Sequence, residues 1–126
     1  MPNTWSQLYL HIVFSTKHRR EWIAADVEER LYSFMAGIVK DEKCVAYKIG
    51  GMPDHVHLLV RFHPRIAISD LLREVKGRSS SWLHDTFPDL HDFAWQEGYG
   101  AFSVSRSQLA KVKNYIDRQA EHHKAM

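Results

Sequence analysis

The sequence predicts an α+β fold in which a small antiparallel sheet carries helices. Three observations predict it: short segments with strand-like patterns alternate with longer segments of helical period, their order is β-α-β-β-α-β-α, and the loops between them are short. No internal repeat or linker interrupts the 126 residues. Residues 1–126 are therefore expected to form one domain.

The first strand and the first helix follow from two different periods. Residues 7–15 alternate, with apolar side chains at the even positions and a mixture that includes His11 at the odd ones, as in a strand with one buried face. A basic cluster, 17–20, lies directly at the exit of this strand. Between about residues 24 and 40, apolar side chains recur every three to four positions, which predicts an amphipathic helix.

The next two strands are predicted to form a hairpin. Residues 43–49 have a strand-like pattern that ends at Gly50 and Gly51, where we expect the turn. Residues 54–62 form the clearest strand of the sequence, because the even positions from Val56 onwards are all apolar. The odd positions of that strand face the other way.

The second half of the chain supplies a helix, an edge strand and a last helix. Ser69 is the expected N-cap of the second helix. Residues 92–104 are aromatic-rich and interrupted by glycines, as in a short edge strand or hairpin. Ser105 and Gln108 form an expected capping box, and the last helix runs to about residue 122. The first six elements match the ferredoxin-like (RRM-like) antiparallel sheet, β-α-β-β-α-β, to which a C-terminal helix is added.

Composition is that of an ordinary globular protein, with 44% hydrophobic and 25% charged residues. No apolar run approaches the roughly 20 residues that span a bilayer. Cys44 is the single cysteine, and the first residues lack the basic start and apolar stretch of a signal peptide. We therefore expect a cytoplasmic protein. A net charge of +2 is by itself a weak indication of nucleic-acid binding.

Two histidines on one strand form the first candidate site. His55 and His57 lie on the same face of the predicted strand, about 7 Å apart along it. Two imidazoles held by one rigid strand can bind a divalent metal. The pair also fits two half-buried or surface histidines on a polar face, and the spacing alone leaves both interpretations open.

The last helix carries a tyrosine beside its apolar stripe. On a helical wheel, Tyr115 and Gln119 are one turn apart on the same side, while Ile116 belongs to the neighbouring apolar side. A packing tyrosine would more naturally lie in the middle of the stripe. Taken alone, Tyr115 also fits an ordinary aromatic residue at the boundary of the core.

The combined motifs resemble a known family. A His-hydrophobe-His strand after Gly-Gly-Met-Pro-Asp, followed by Tyr-x-x-x-Gln on a C-terminal helix, resembles the HUH single-tyrosine (Y1) transposases, which include the IS200/IS605-like and the repeat-associated tyrosine transposases. Residues 11–19, 76–80 and 95–104 resemble further signatures of that family. The resemblance covers nearly the whole chain, in the right order.

The resemblance implies an enzyme that cleaves and rejoins single-stranded DNA bearing an imperfect hairpin at an element end. It implies that His55, His57 and Gln119 hold Mg²⁺ or Mn²⁺. Tyr115 would attack the scissile phosphate and form a 5′-phosphotyrosine. It also implies a homodimer, and it gives no reason to expect a membrane or a small-molecule substrate. The position of Asp54 on the other strand face favours a supporting or turn role over metal ligation, and His11 is expected near the site or in packing.

Several basic residues are candidates for contacts with DNA phosphates, which position a nucleic acid without reading its sequence. Each of them also fits a solvated surface charge. These candidates are Lys17, Arg19, Arg20, Lys76, Arg78 and Arg106.

Two other functions remain open from the sequence. A domesticated, non-catalytic relative could use the same sheet to hold single-stranded nucleic acid. A small metal-dependent hydrolase could activate water at His55 and His57, although no Asp or Glu is obviously placed to complete such a site. A replication-initiator nuclease would share the HUH chemistry, but no helicase or additional domain is present in the sequence.

Overall fold

The computed structural model describes residues 7–124, with side chains described as far as Gln119. Its elements follow the predicted order β-α-β-β-α-β-α. The strands are β1 (Leu8–Ser15), β2 (Val45–Met52), β3 (His55–Phe62) and β4 (Gly100–Val104), and the helices are α1 (Ala25–Asp41), α2 (Ile68–Thr86) and α3 (Leu109–Lys124).

The four strands form one sheet in the order β2-β3-β1-β4. All three neighbouring pairs are antiparallel. This is the sheet of the ferredoxin-like arrangement, and the prediction of an α+β fold with an additional C-terminal helix is confirmed. Because side chains alternate along a strand, each face of this sheet has its own composition.

One face of the sheet forms the hydrophobic core with α1 and α2. The even-numbered side chains of β1 and β3 from Leu10 to Phe14 and from Val56 to Phe62 are buried there. The apolar stripes of α1 and α2 cover them, with Leu31 and Leu71 fully buried. Burying a side chain of this size stabilises the fold by roughly 1.5–3 kcal/mol.

The third helix lies on the opposite face, over β2 and β3. Ile116 of α3 is buried at 1% exposure. A Cβ atom on Gly50 of β2 would come within 2.7 Å of Ile116 Cγ2 and 3.2 Å of the Ile116 carbonyl oxygen. Glycine at position 50 therefore permits the close approach of the helix. An ion pair between Lys48 and Asp117 adds a polar contact at the same border.

The predicted position of the hairpin turn is wrong. Strand β2 continues through Gly50 and Gly51 to Met52, and the turn lies at residues 53–54. Gly51 has a φ of +154°, and a Cβ there would meet the His55 carbonyl oxygen at 2.2 Å. Gly50 permits the close approach of α3, and Gly51 that of β3. A glycine pair required for packing looks the same in sequence as one required for a turn.

Of the two predicted helix caps, Ser69 is wrong, and Ser105 is right in position but makes no capping hydrogen bond. Helix α2 begins two residues earlier than its serine suggests, with Ala67 as the N-cap and Ser69 inside the first turn. Ser105 makes no capping hydrogen bond, and its hydroxyl contacts that of Ser107 at 3.1 Å. The chain enters α3 through a 3₁₀ turn, Arg106–Gln108.

The aromatic segment 92–104 forms an edge strand only in its second half. Trp95 makes an isolated bridge to Thr16, and Phe93 is buried in the core at 2% exposure. Strand β4 then pairs with β1. Within residues 7–124, none of the helices combines the length and the apolar character needed to cross a membrane.

Candidate metal and tyrosine site

The register of β1 and β3 places the two predicted histidines on the sheet face that α3 partly covers. His57 pairs with Val13 and His55 with Ser15, so both point away from the hydrophobic core. Their ring centroids are 5.0 Å apart. His57 is buried at 5% exposure, and His55 is half-buried.

The imidazole of His57 has one nitrogen engaged and one without a partner. A hydrogen bond of 2.8 Å joins its Nδ1 to Nε2 of His11. Its Nε2 is buried, and no hydrogen-bond partner for it occurs in the described part of the chain. Burial, followed by the nearby His55 and His11, lowers the pKa of His57 to about 4. The ring is therefore neutral near pH 7, which is the form that binds metals.

The other histidine is oriented by a carboxylate. Nδ1 of His55 donates to Oδ1 of Asp54 at 2.7 Å, and the guanidinium of Arg19 binds Oδ2 of the same carboxylate at 3.2 Å. Burial opposes ionisation of Asp54, but the hydrogen bond from His55 and the charge of Arg19 outweigh it, and the pKa of Asp54 is lowered. With Nδ1 engaged, Nε2 is the nitrogen of His55 that can bind a further group.

Tyr115 lies beside these imidazoles. Its ring centroid is 5.8 Å from that of His57 and 6.2 Å from that of His11. The side chain is 53% exposed, although the next residue, Ile116, is fully buried. Ile116 thus anchors the helix, and the neighbouring Tyr115 remains accessible beside the imidazoles.

Gln119 follows one helical turn after Tyr115 and is half-buried. Its amide is close enough to His57 to counteract in part the lowering of that pKa, although Nε2 of His57 forms no hydrogen bond of good geometry with it. Among residues 7–119, no group of three histidine, cysteine or acidic side chains is arranged to hold a metal. A set built on the two histidines therefore requires a ligand of another type, such as this amide.

Three of the predicted DNA contacts lie together next to the histidines. Lys17, Arg19 and Arg20 occupy the turn after β1, at the end of the sheet where β3 begins. His18 and Arg19 have positive φ angles of 58° and 54°. Such left-handed backbone costs of order 1–3 kcal/mol at a residue other than glycine, and it frequently marks a functional turn.

The other three predicted DNA contacts lie elsewhere. The ammonium group of Lys76 donates to the carbonyl oxygens of Gln96 and Gly98 at 2.8 and 2.6 Å, so it fixes the segment before β4. Arg78 binds Asp41 at 3.0 Å in the helical layer, on the far side of the sheet from His57. Arg106 follows β4 at the opposite end of the sheet from His55.

The sequence indicates only in part the contacts that His11 and Asp54 make with the two predicted histidines. Alternation along β1 puts His11 on the same face as the histidine pair, but the register that brings it within 2.8 Å of His57 is not written in either strand alone. Asp54 makes the supporting contact that its sequence position favoured, a hydrogen bond with His55, and it does so from the turn before β3. His122 and His123 lie outside the residues whose side chains are described.

Comparisons with known proteins identify the family. The model of the family "Transposase IS200 like" matches residues 4–119. The ISDra2 transposase TnpA of Deinococcus radiodurans is 28% identical over 118 residues, which cover 90% of this chain and 84% of the relative. The transposase for insertion sequence element IS200 of Salmonella typhimurium is 29% identical over 126 residues, which cover 95% of this chain and 81% of the relative.

Solved structures have the same fold. A crystal structure described as a transposase from Deinococcus radiodurans superimposes with a TM-score of 0.76 at 25% identity, and the match covers 94% of this chain and 95% of that one. A REP-associated tyrosine transposase bound to a REP hairpin has a TM-score of 0.71 at 13% identity, with 98% and 73% covered, a likeness of fold alone. The chain therefore belongs to the IS200-like single-tyrosine transposases, a family of enzymes that cleave DNA.

Proposed function

We propose that this transposase cuts and rejoins single-stranded DNA through a 5′-phosphotyrosine on Tyr115, with a divalent metal held by His55, His57 and Gln119. One observation supports this most strongly. An exposed tyrosine lies 5.8 Å, ring to ring, from a buried histidine whose Nε2 has no partner among the described residues. A buried polar atom of this kind costs free energy unless something binds it.

The donor set fits Mg²⁺ or Mn²⁺ together with DNA. Two imidazole nitrogens and one amide oxygen provide three ligands without negative charge, so phosphate oxygens can complete the coordination. When bound, the metal would polarise the scissile phosphate and neutralise the charge that develops on it. Asp54 supports the set by holding His55 at Nδ1.

The protein's own chemistry is carried by Tyr115. Its hydroxyl oxygen forms a bond to phosphorus while the bond from phosphorus to the 3′ oxygen breaks. The tyrosine gives up its proton, and the departing oxygen becomes a 3′-hydroxyl. Because one phosphodiester bond replaces another, a DNA 3′-hydroxyl can attack the phosphotyrosine and rejoin strands without ATP.

The proposed substrate is single-stranded DNA with a hairpin. The turn 17–20 supports a phosphate-binding role for Lys17, Arg19 and Arg20, since all three are exposed beside the site. Arg106 is exposed at the other end of the sheet and could bind a more distant phosphate. Contacts by Lys76 and Arg78 stay predictions, because Lys76 is held by two carbonyl groups and Arg78 pairs with Asp41 on the far side of the sheet from His57. A transposase of the same fold has been solved bound to a REP hairpin.

We also propose that residues 1–126 form one catalytic domain that works as a homodimer. Strand β4 pairs with β1 along one edge, and within the described residues no strand pairs along its other edge. Phe102 on this strand is 59% exposed. An open edge with an exposed aromatic residue is a suitable surface for joining two sheets, and light scattering behind a size-exclusion column tests the dimer.

The test of the proposed chemistry is a covalent-adduct assay. Purified protein is incubated with Mg²⁺ or Mn²⁺ and 3′-labelled single-stranded hairpin DNA taken from the sequence flanking its gene, then separated on a denaturing gel. We expect a labelled protein band that disappears in Tyr115→Phe and in the presence of EDTA. Tyr99→Phe is the matched control, because Tyr99 is also exposed, at 41%, and should retain the band.

Other outcomes would replace the proposal. Cleaved DNA without an adduct, undiminished in Tyr115→Phe, would identify a hydrolase that uses water. DNA that is retarded on a native gel but never cut would identify a binding protein without the chemistry.

A further inference from the structure

We propose that His11 is a positioning residue that accepts a hydrogen bond from Nδ1–H of His57 and so keeps Nε2 of His57 unprotonated for the metal. The inference deepens the proposed function, on which it rests, by adding a residue that acts through His57. His11 lies on β1 and His57 on the neighbouring β3.

The geometry of the two rings defines the contact. Nε2 of His11 lies 2.8 Å from Nδ1 of His57. The ring centroids are 5.1 Å apart and the ring planes differ by 25°. Both side chains project from paired strands, in which His57 lies opposite Val13, two residues beyond His11. Backbone pairing therefore holds the two nitrogens together, and the contact does not depend on a loop.

A single proton is shared in this contact, and its position decides what His57 can bind. If Nδ1 of His57 carries it, Nδ1 donates to His11 and Nε2 of His57 keeps its lone pair. If His11 donates, a neutral His57 must carry its proton on the buried Nε2. Although the Gln119 amide lies nearby, this nitrogen forms no hydrogen bond of good geometry within the described residues, and a buried donor left unsatisfied costs about 1–3 kcal/mol. Unsatisfied buried N–H groups are rarer than under-used acceptors, which favours the first arrangement.

The two proposed ligands are then oriented in the same way by different groups. Nδ1 of His55 donates to the carboxylate of Asp54 at 2.7 Å, and Nδ1 of His57 donates to an imidazole. Metal-binding histidines almost always donate their second nitrogen in this manner, which fixes both the tautomer and the ring orientation. At His57 the acceptor is the imidazole of His11, so the tautomer is fixed without placing a second carboxylate beside that of Asp54.

Two variants separate hydrogen bonding from packing. His11→Phe keeps a ring on the strand but removes the acceptor, whereas the side-chain oxygen of His11→Gln can reach the position of Nε2. Phe102→Leu is the matched control, because Phe102 lies opposite His11 on β4, with 6.2 Å between the ring centroids, and has no side-chain group that can bind His57 by a hydrogen bond. The first readout is the nitrogen NMR spectrum of the metal-free protein with labelled histidines, which shows the nitrogen of His57 that is protonated.

We expect the proton on Nδ1 in the wild type, in His11→Gln and in Phe102→Leu, and a shift towards Nε2 in His11→Phe. The second readout is Mn²⁺ affinity measured by electron paramagnetic resonance. Loss of an outer hydrogen bond to a ligand typically costs 10- to 100-fold in metal affinity, so His11→Phe should bind Mn²⁺ at least about tenfold more weakly, and the other two variants within about threefold of wild type.

A wild-type His57 protonated on Nε2 would overturn the inference, as would equal losses of affinity in His11→Gln and His11→Phe, which would indicate packing alone. The first readout needs no metal and no folded His11→Phe protein. If the wild type has the Nδ1 proton but its Mn²⁺ affinity is unchanged by His57→Ala, the hydrogen-bond assignment stands and the proposed metal role of His57 is overturned.

Discussion

Gly50 and Ile116 are so close that a single added carbon atom would bring the strand and the helix into conflict. A Cβ at position 50 would lie 2.7 Å from Ile116 Cγ2 and 3.2 Å from the Ile116 carbonyl oxygen. The second of these contacts involves backbone, which cannot rotate away as a side-chain terminus can. Because Tyr115 is the preceding residue of the same helix, the glycine determines how near the hydroxyl group approaches the histidines.

Gly50→Ala is expected to reduce adduct formation while the sheet remains folded. The helix must move away from β2, and a displacement of about 1 Å in a reacting group can cost on the order of 100-fold in rate. Rates of labelled adduct formation, with circular dichroism to confirm folding, measure this effect. Gly37→Ala is the matched control, because a Cβ there meets nothing within 4 Å. It should retain the rate and gain up to about 1 kcal/mol of helix stability. Wild-type rates in Gly50→Ala would contradict the argument.

Asp54→Asn is expected to weaken metal binding without unfolding the protein. The amide has the shape of the carboxylate but lacks the charge that favours the proton on Nδ1 of His55, and losses of 10- to 100-fold in metal affinity are typical of such changes. Calorimetric titration with Mn²⁺ measures the loss. Asp70→Asn removes a carboxylate that binds Arg73 on the surface of α2 and should leave the affinity unchanged. Equal affinities in both variants would argue against a role for Asp54 at the site.

Arg19→Gln is expected to reduce both the affinity for hairpin DNA and its dependence on salt. Removing one cationic contact to a phosphate of single-stranded DNA lowers the slope of log K against log salt by about 0.7. Fluorescence anisotropy over a range of NaCl concentrations measures that slope. Arg73→Gln also removes one exposed arginine, but in the helical layer, and should leave the slope unchanged. An unchanged slope in Arg19→Gln would exclude a phosphate contact there.

Leu58→Ala is expected to lower the free energy of unfolding by roughly 2–5 kcal/mol, as is typical for removing a fully buried leucine. Leu58 is 0% exposed between the sheet and the two core helices. Urea denaturation measures the change. Leu8→Ala, at a leucine that is 46% exposed at the start of β1, should cost far less. Comparable losses for the two substitutions would place the core elsewhere.

The strand faces could be predicted because side chains alternate strictly along a strand. That rule placed His55 and His57 away from the core, and the helical period placed Tyr115 and Gln119 on one side of the last helix. Their approach to one another depends on where α3 docks, and docking depends on Gly50. A glycine pair has the same appearance in sequence whether it turns the chain or admits a helix, so the turn was predicted in the wrong place.

Ionic partners were equally hard to infer. Lys76 and Arg78 occur near other basic and hydroxyl residues in the sequence, as expected of a phosphate-binding surface. Their acceptors come from distant segments: two carbonyl groups near residue 97 for Lys76, and Asp41 at the end of α1 for Arg78. Composition shows where charge is concentrated, but only the tertiary fold shows which of those charged side chains already have partners within the protein.

The uninterrupted register between β1 and β3 has a consequence for how sequences of this kind can change. All eight residues of β1 have partners, from Leu8 with Phe62 to Ser15 with His55, without a bulge. A deletion of one residue inside either strand would reverse the faces of everything beyond it, so that imidazoles would enter the core and valines would replace them at the surface. Insertions in the segments after β3 or before β4 would leave the pairing intact. Length variation in homologues of this protein should therefore accumulate in those connections and be absent from the two central strands.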